Sequence, residues 1–128
     1  MLNTLKIKNI ALIENLTIEF DKGLNVLTGE TGAGKSIIID SLNFVLGART
    51  DRTLIRSGES NARVDAVFTV NNNTAVEEFF KANDFDYDGE ILISRSMNTD
   101  GKSNIWLNGN PITAGMLKEL TSNLVDIY

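Results

Sequence analysis

The sequence has no cysteine, no histidine and no glutamine among its 128 residues. The absence of cysteine excludes disulfide bonds and thiolate metal sites, and it suits the reducing cytoplasm. Several phosphoryl-transfer enzymes position the attacking water with a histidine or glutamine side chain, and this chain supplies neither. No apolar run approaches the length that spans a bilayer, and the first residues lack the apolar core of a signal peptide. We therefore expect a cytoplasmic protein with no membrane partner.

Length and charge set further limits. With 42% hydrophobic and 23% charged residues, the 128-residue chain has the composition of one soluble globular domain. The formal net charge of −5 argues against binding nucleic acid by bulk electrostatics. It does not exclude a local basic face.

One stretch, GETGAGKS at positions 29–36, fits the pattern of Gly, four residues, Gly, Lys, and Ser or Thr that binds nucleotide phosphates. Its glycines leave the backbone bare, so that main-chain N–H groups can surround anionic oxygens. An apolar run at 24–28 precedes it and a helical pattern at 35–46 follows it, which is the expected strand, loop and helix context. Lys35 is expected to reach the β- and γ-phosphates, and the Ser36 hydroxyl to ligate Mg²⁺. The alternative is a glycine-rich turn beside a surface lysine.

In the rest of the chain, segments in which apolar and polar residues alternate, as in strands, are interspersed with segments in which apolar residues recur at helical spacing. We predict a helix from Thr74 to about residue 82, with Thr74 as its cap and Glu77 completing a capping box. Gly47 is expected to end the first helix, and Thr113 to begin the last one. The other predicted elements are strands at 5–10, 16–20, 24–28, 63–70, 90–96, 103–107 and 124–128, a short helical turn within 48–61, and a tight turn at 108–109.

Two groups of side chains leave alternatives open. Arg49, Arg52 and Arg56 follow the phosphate loop closely and could contact nucleotide, DNA or a partner; on general grounds, solvated arginines paired with nearby acids are favoured. For Trp106, a role as a core or hairpin anchor is favoured over a role in stacking on a nucleic-acid base.

Several stretches resemble the RecN family of bacterial DNA repair proteins. They are the opening strand at 5–10, the run GLNVLTGETGAGKSI at 23–37, LGAR at 46–49 with LIRSG at 54–58, and the hairpin from Ser94 to Gly109. The likeness covers essentially all of the chain.

The resemblance implies an α/β P-loop NTPase fold: the N-terminal lobe of an ABC/SMC-type ATPase head with an antiparallel β component and a β-hairpin. It implies residues 1–128 as the N-terminal part of a split head, without the coiled coil, the C-terminal half, or the acidic Mg²⁺-binding and catalytic residues. Lys8 or Asn9, at the end of the first strand, would lie near the nucleotide. ATP and Mg²⁺ would bind at Gly29, Glu30, Thr31, Gly32, Ala33, Gly34, Lys35, Ser36 and Ile37, with Ser36 on the metal.

The resemblance also implies a biological role in double-strand break repair and recombination. The expected partners are DNA, through the full-length protein, the C-terminal half of the same head, and a second copy through ATP-engaged heads. The protein would be cytoplasmic and associated with the nucleoid. ATP hydrolysis is expected of the full-length protein and little of this chain alone. The alternatives are the nucleotide-binding domain of an ABC-type transporter and a non-hydrolysing interaction module.

Overall fold

A computed structural model describes residues 2–20, 32–50 and 52–124 of the chain. The described strands are β1 (Leu2–Ile10), β2 (Ile13–Glu19), β3 (Asn61–Thr69), β4 (Glu90–Asn98), β5 (Ser103–Leu107) and β6 (Asn110–Ile112). The helices are α1 (Gly32–Val45), α2 (Thr74–Ala82) and α3 (Ala114–Ser122), and a single 3₁₀ turn covers Arg52–Leu54.

The six described strands form one sheet in the order β2-β1-β3-β4-β5-β6. Every neighbouring pair is antiparallel. Short turns join β1 to β2, β4 to β5 and β5 to β6, whereas α2 lies between β3 and β4. In the turn between β5 and β6, Asn108 has a φ of 48° and Gly109 a φ of 85°. Two positive φ angles in a two-residue turn match the twist of the strands that it joins.

The two faces of this sheet differ in character because side chains alternate along each strand. On one face the apolar side chains of β1, β3, β4 and β5 join those of the three helices in a single core. The other face carries mainly polar side chains, among them exposed Lys6 and Lys8. The largest members of the core are Phe44, Phe68, Phe80, Leu5, Ile7, Ile10, Ile91, Ile93, Met97, Leu107 and Leu117.

Most of the predicted elements are confirmed. The strands at 5–10, 16–20, 63–70, 90–96 and 103–107, the helix at 35–46, the short helical turn and the last helix are all present. The predicted strand at 24–28 lies outside the described residues, as does 125–128 of the predicted last strand. Strand β6 was not predicted, because it is three residues long and contains Pro111, which only an edge strand tolerates.

The predicted start of α2 is wrong by one residue. Asn73, and not Thr74, is the N-cap: its side-chain oxygen accepts from the Val76 backbone N–H at 3.1 Å, and its φ of −105° is extended. Thr74 is the first helical residue, so the capping box with Glu77 does not form as predicted. Asn is at least as good an N-cap as Thr, and three asparagines precede Thr74. Residue preference alone therefore could not identify which of these four positions is the cap.

Candidate nucleotide-binding site

The predicted phosphate loop leads into the first turn of α1. The helix begins at Gly32, inside the motif, so the backbone of 32–35 belongs to that turn. Ser36, the predicted Mg²⁺ ligand, is exposed, and Ile37 is half-buried against the core. The predictions for Gly29, Glu30 and Thr31, and for the side chain of Lys35, lie outside what the structure describes.

The N-terminal turn of α1 has the chemistry that an anion requires. The first N–H groups of a helix have no partner within the helix, and the helix dipole places partial positive charge at that end. The first turn contains no acidic residue that would compete for these groups. An anionic ligand fits this end of α1, and a phosphate group would receive main-chain N–H bonds there.

The C-terminal end of α1 is closed by its own main chain. Gly47 has a φ of +106°, its N–H donates to the Phe44 carbonyl at 3.1 Å, and the Ala48 N–H donates to the Asn43 carbonyl at 2.9 Å. This pair of bonds is the Schellman motif, which requires a left-handed residue that glycine adopts without steric cost. The predicted role of Gly47 as the C-terminal cap is confirmed.

Arg95 of β4 holds the same end of α1 against the sheet. Its Nη1 donates to the carbonyls of Phe44 and Ala48, each at 2.8 Å, and its guanidinium carbon lies 4.4 Å from the centre of the Phe44 ring. A cation at the C-terminus of a helix complements the dipole, and the ring face adds a cation–π contact. Burial lowers the pKa of the Arg95 guanidinium, which nevertheless stays charged because arginine is protonated at any ordinary pH.

Arg95 was missed in the sequence analysis, although a signal was present. Ile91, Ile93 and Met97 are the buried apolar residues of β4, and Arg95 has the same parity as these three. A charged residue at an apolar position of a strand needs a polar partner on the buried side. Here the partners are the carbonyl of Phe44, in the last turn of α1, and that of Ala48, just after the helix, so Arg95 fixes the helix that carries the phosphate-binding motif.

The end of β1 is joined to the segment that follows α1. Ile10 and Ile55 form an antiparallel bridge, and the Ala11 N–H donates to the Leu54 carbonyl at 2.9 Å. Asn9 and Ala11 have φ values of 56° and 50°, in the left-handed region that residues with a Cβ seldom adopt. Such conformations persist only where surrounding contacts enforce them. Ala11 is the first residue of the two-residue turn that joins β1 to β2, where such turns take a positive φ, and the carbonyl of Asn9 accepts from the Arg56 N–H.

Arg56 takes part in this corner and is not a freely solvated side chain. Its backbone N–H donates to the Asn9 carbonyl at 2.8 Å, and its Nη1 donates to the Leu12 carbonyl at 2.9 Å. The described bonds of Arg56 are to main-chain carbonyls, and its pairing with Asp51 lies outside the described residues. Arg49 and Arg52 are exposed.

The two candidate residues at the end of β1 lie on opposite faces of the sheet. Lys8 is exposed on the polar face, whereas Asn9 is buried on the side that carries α1. Of the two, only Asn9 is on the side of the sheet where the phosphate-binding motif enters its helix. Nucleotide contact by either residue stays a prediction.

A family model described as an AAA domain matches residues 4–125 of the chain. The chain belongs to the AAA domain family. Nucleotide binding is the property that this ATPase fold implies, and it agrees with the motif at the start of α1.

Curated relatives of this AAA domain are DNA repair proteins. The chain is 44% identical over 131 residues to the DNA repair protein RecN of Halalkalibacterium halodurans, covering 100% of this chain and 23% of that protein. It is 40% identical over 129 residues to RecN of Bacillus subtilis, covering 100% of this chain and 22% of that protein. The resemblance to RecN is confirmed over the whole chain, which spans less than a quarter of the length of these relatives, and a transporter domain is not favoured.

Solved structures similar to this AAA domain are SMC ATPase heads. One, from a study of ATP-driven dimerization and DNA-stimulated activation of SMC ATPases, has a TM-score of 0.74 at 27% identity, covering 97% of this chain and 79% of that one. The Smc head domain from Pyrococcus yayanosii has a TM-score of 0.71 at 28% identity, covering 95% of this chain and 25% of that one. The predicted fold class, the N-terminal lobe of an SMC-type head, is confirmed. None of the helices in the described ranges is long and apolar enough to cross a bilayer.

Proposed function

We propose that this chain is the ATP-binding lobe of a RecN-like ATPase that acts in DNA double-strand break repair and recombination. One observation carries the proposal: the phosphate-binding motif runs into the N-terminal turn of α1, in a chain similar along its length to RecN proteins. Arg95 supports it, because its bonds to Phe44 and Ala48 hold the far end of that helix on the sheet.

Different groups of the motif would contact different parts of a bound Mg²⁺ triphosphate. Main-chain N–H groups from Gly29 to Ser36 would surround the phosphate oxygens, and the Lys35 ammonium would pair with the β- and γ-phosphates. The exposed Ser36 hydroxyl would ligate Mg²⁺, with Ile37 fixing the helix to the core behind it. A bound Mg²⁺ neutralises charge that develops on the phosphates during transfer.

The other parts of the proposed ATPase site belong to the C-terminal half of the head. Residues 1–128 make the N-terminal part of a head whose C-terminal half supplies the acidic Mg²⁺ ligand and the catalytic acid. We infer that two such heads engage around ATP, and that DNA is bound by the complete cytoplasmic protein at the nucleoid. Phosphoryl transfer depends on positioning and charge stabilisation, so half of the cradle gives binding with little turnover.

A fluorescent ATP analogue tests this proposal on the 128-residue chain. We expect Mg²⁺-dependent binding that Lys35→Ala abolishes and that the matched surface variant Lys81→Ala leaves unchanged, since Lys81 is exposed near the end of α2. Hydrolysis by the purified chain should be close to background. Failure to bind the analogue would refute the assignment of the site. Rapid hydrolysis that is lost in Lys35→Ala would refute the division of labour between the two halves.

A further inference from the structure

Helix α1 is packed on the sheet most closely near its C-terminal end. The fully buried side chains that the structure describes in α1 all lie in its second half: Ser41, Phe44 and Val45. Among residues 36–40, whose side chains the structure describes, none is fully buried, and Ile39 is 50% exposed. The phosphate-binding motif enters the helix at the other end, at Gly32. Within the described part of the helix, burial therefore decreases toward the motif.

Arg95 adds directional bonds at the buried end of the helix. Apolar contacts are non-directional, so they allow a helix to tilt, whereas a hydrogen bond weakens as its angle departs from linear. The two N–H groups on Arg95 Nη1 donate to the carbonyls of Phe44 and Ala48, four positions apart along the chain. Bonds to two separate carbonyls fix the direction of the helix end as well as its distance from β4.

Two further contacts hold the guanidinium of Arg95 itself. Its Nε donates to the hydroxyl of Ser103, the first residue of β5, at 3.3 Å. Its carbon lies 4.4 Å from the centre of the Phe44 ring, which covers one side of the planar group. Both N–H groups on Nη1 and the one on Nε are therefore engaged, and the plane of the guanidinium is set by β5 and α1 together.

A small change of tilt at this end of α1 produces a larger displacement at the other end. From Phe44 back to Gly32 the helix rises by roughly 18 Å. A tilt of roughly 5° about Phe44 would therefore move the first turn by about 1.6 Å. Since N–H···O bonds are made at about 2.7–3.2 Å, a shift of this size would weaken several bonds to phosphate oxygens together.

We infer that Arg95 is a positioning residue for the nucleotide: its bonds to Phe44 and Ala48 set the direction of α1 and thereby the place of the N–H groups that would hold the phosphates. Ser103 takes part by holding the guanidinium in its plane. Arg95 acts from the opposite end of the helix and does not itself contact the nucleotide. This inference rests on the proposed function, since it concerns the affinity of the same site.

The test compares nucleotide affinity with the folded fraction of each variant of the 128-residue chain. The probe is a fluorescent ATP analogue with Mg²⁺, and urea unfolding in the same buffer gives the fraction of the chain that is folded. Partial unfolding alone raises the apparent Kd by the reciprocal of that fraction. We expect Arg95→Met to raise the Kd by roughly tenfold beyond this correction, which corresponds to the loss of about one phosphate hydrogen bond. Arg95→Lys should recover part of the affinity.

Two controls and a milder variant separate positioning from stability. Val76→Ala, at a buried position of α2, destabilises the chain away from α1, and the folded fraction alone should account for its Kd. Ser103→Ala leaves both bonds from Arg95 to the end of α1 in place and should raise the Kd by roughly twofold to threefold. Ser122→Ala, whose hydroxyl donates within α3, is the matched control for it and should leave the Kd unchanged.

The outcomes distinguish this inference from the proposed function. A corrected Kd for Arg95→Met equal to that of the parent chain, or an equal corrected loss in Val76→Ala, would overturn the inference. If Arg95→Met does not fold, an unchanged Kd in Ser103→Ala would overturn it. In each of these cases the parent chain binds the analogue, so the proposed function stands. Absence of binding by the parent chain would instead refute the nucleotide site and this inference with it.

Discussion

Replacement of Arg95 by methionine removes the cation that fixes α1 to β4 and keeps an unbranched apolar side chain of about the size of the arginine's aliphatic part. Two charge-assisted hydrogen bonds at 2.8 Å and one cation–π contact are lost. Hydrogen bonds of charged groups contribute about 1.5–3 kcal/mol each in net terms, and a cation–π contact about 0.5–1 kcal/mol. Since Arg95 is only half-buried and the Phe44 carbonyl keeps its bond from Gly47, the lower values apply. We expect the free energy of unfolding to fall by about 3–4 kcal/mol.

Urea denaturation of the 128-residue chain, followed by circular dichroism, measures this loss. The m-value should stay the same while the midpoint falls, since the folded surface is unchanged. Arg95→Lys should recover part of the loss, because an ammonium keeps the charge but the side chain is shorter and lacks the planar group that lies over the Phe44 ring. Arg52→Met, at an exposed arginine, is the matched control and should stay within about 0.5 kcal/mol of the parent. An Arg95→Met chain as stable as Arg52→Met would refute the reasoning.

Three further substitutions test local features. Gly47→Ala should lower the free energy of unfolding by more than about 1 kcal/mol, because a Cβ is strained at φ +106° and would lie 3.3 Å from Leu117 Cδ2. Thermal unfolding measures this loss, and an unchanged stability would contradict the assignment of Gly47 as the cap. Asn73→Ala should cost about 1 kcal/mol, and Thr74→Ala much less, in urea unfolding; the reverse order would restore Thr74 as the cap. Burial, followed by nearby Glu77 and Asp88, raises the pKa of Tyr87. The folded chain therefore keeps the Tyr87 hydroxyl proton to a higher pH than the unfolded chain does, so the free energy of unfolding should decline above about pH 10. Tyr87→Phe should lessen that decline in unfolding curves recorded between about pH 9 and 11.

The sequence was most informative where a residue has one conformational use. Gly47, Asn108 and Gly109 each take the left-handed conformation, and Thr113 caps α3 with its side chain on the Met116 N–H. Alternation predicted strand β3, and its buried residues fall at every second position because one face of a sheet repeats with that period. Local rules were enough for these elements.

The features that sequence alone left undetermined depend on contacts between distant residues. Arg95 is held by carbonyls of α1 about fifty positions earlier in the chain, and no local pattern identifies that partner. The left-handed conformation of Asn9 was not predicted either, because the Arg56 N–H that bonds to its carbonyl comes from a distant part of the chain. Ser36 was chosen from the motif alone, and the structure adds that it is exposed.

The bridge between Ile10 and Ile55 makes a closed ring of the segment that includes the phosphate-binding motif and α1. The two ends of that ring are held together at one corner of the sheet, so an insertion within the ring lengthens a loop whose ends stay in place. Each doubling of a flexible ring costs only about 0.6 kcal/mol in closure entropy. Extra residues inserted between Arg49 and Arg52 should therefore be tolerated, whereas a proline at Ala11 would remove the N–H that donates to the Leu54 carbonyl and weaken the closure of the ring.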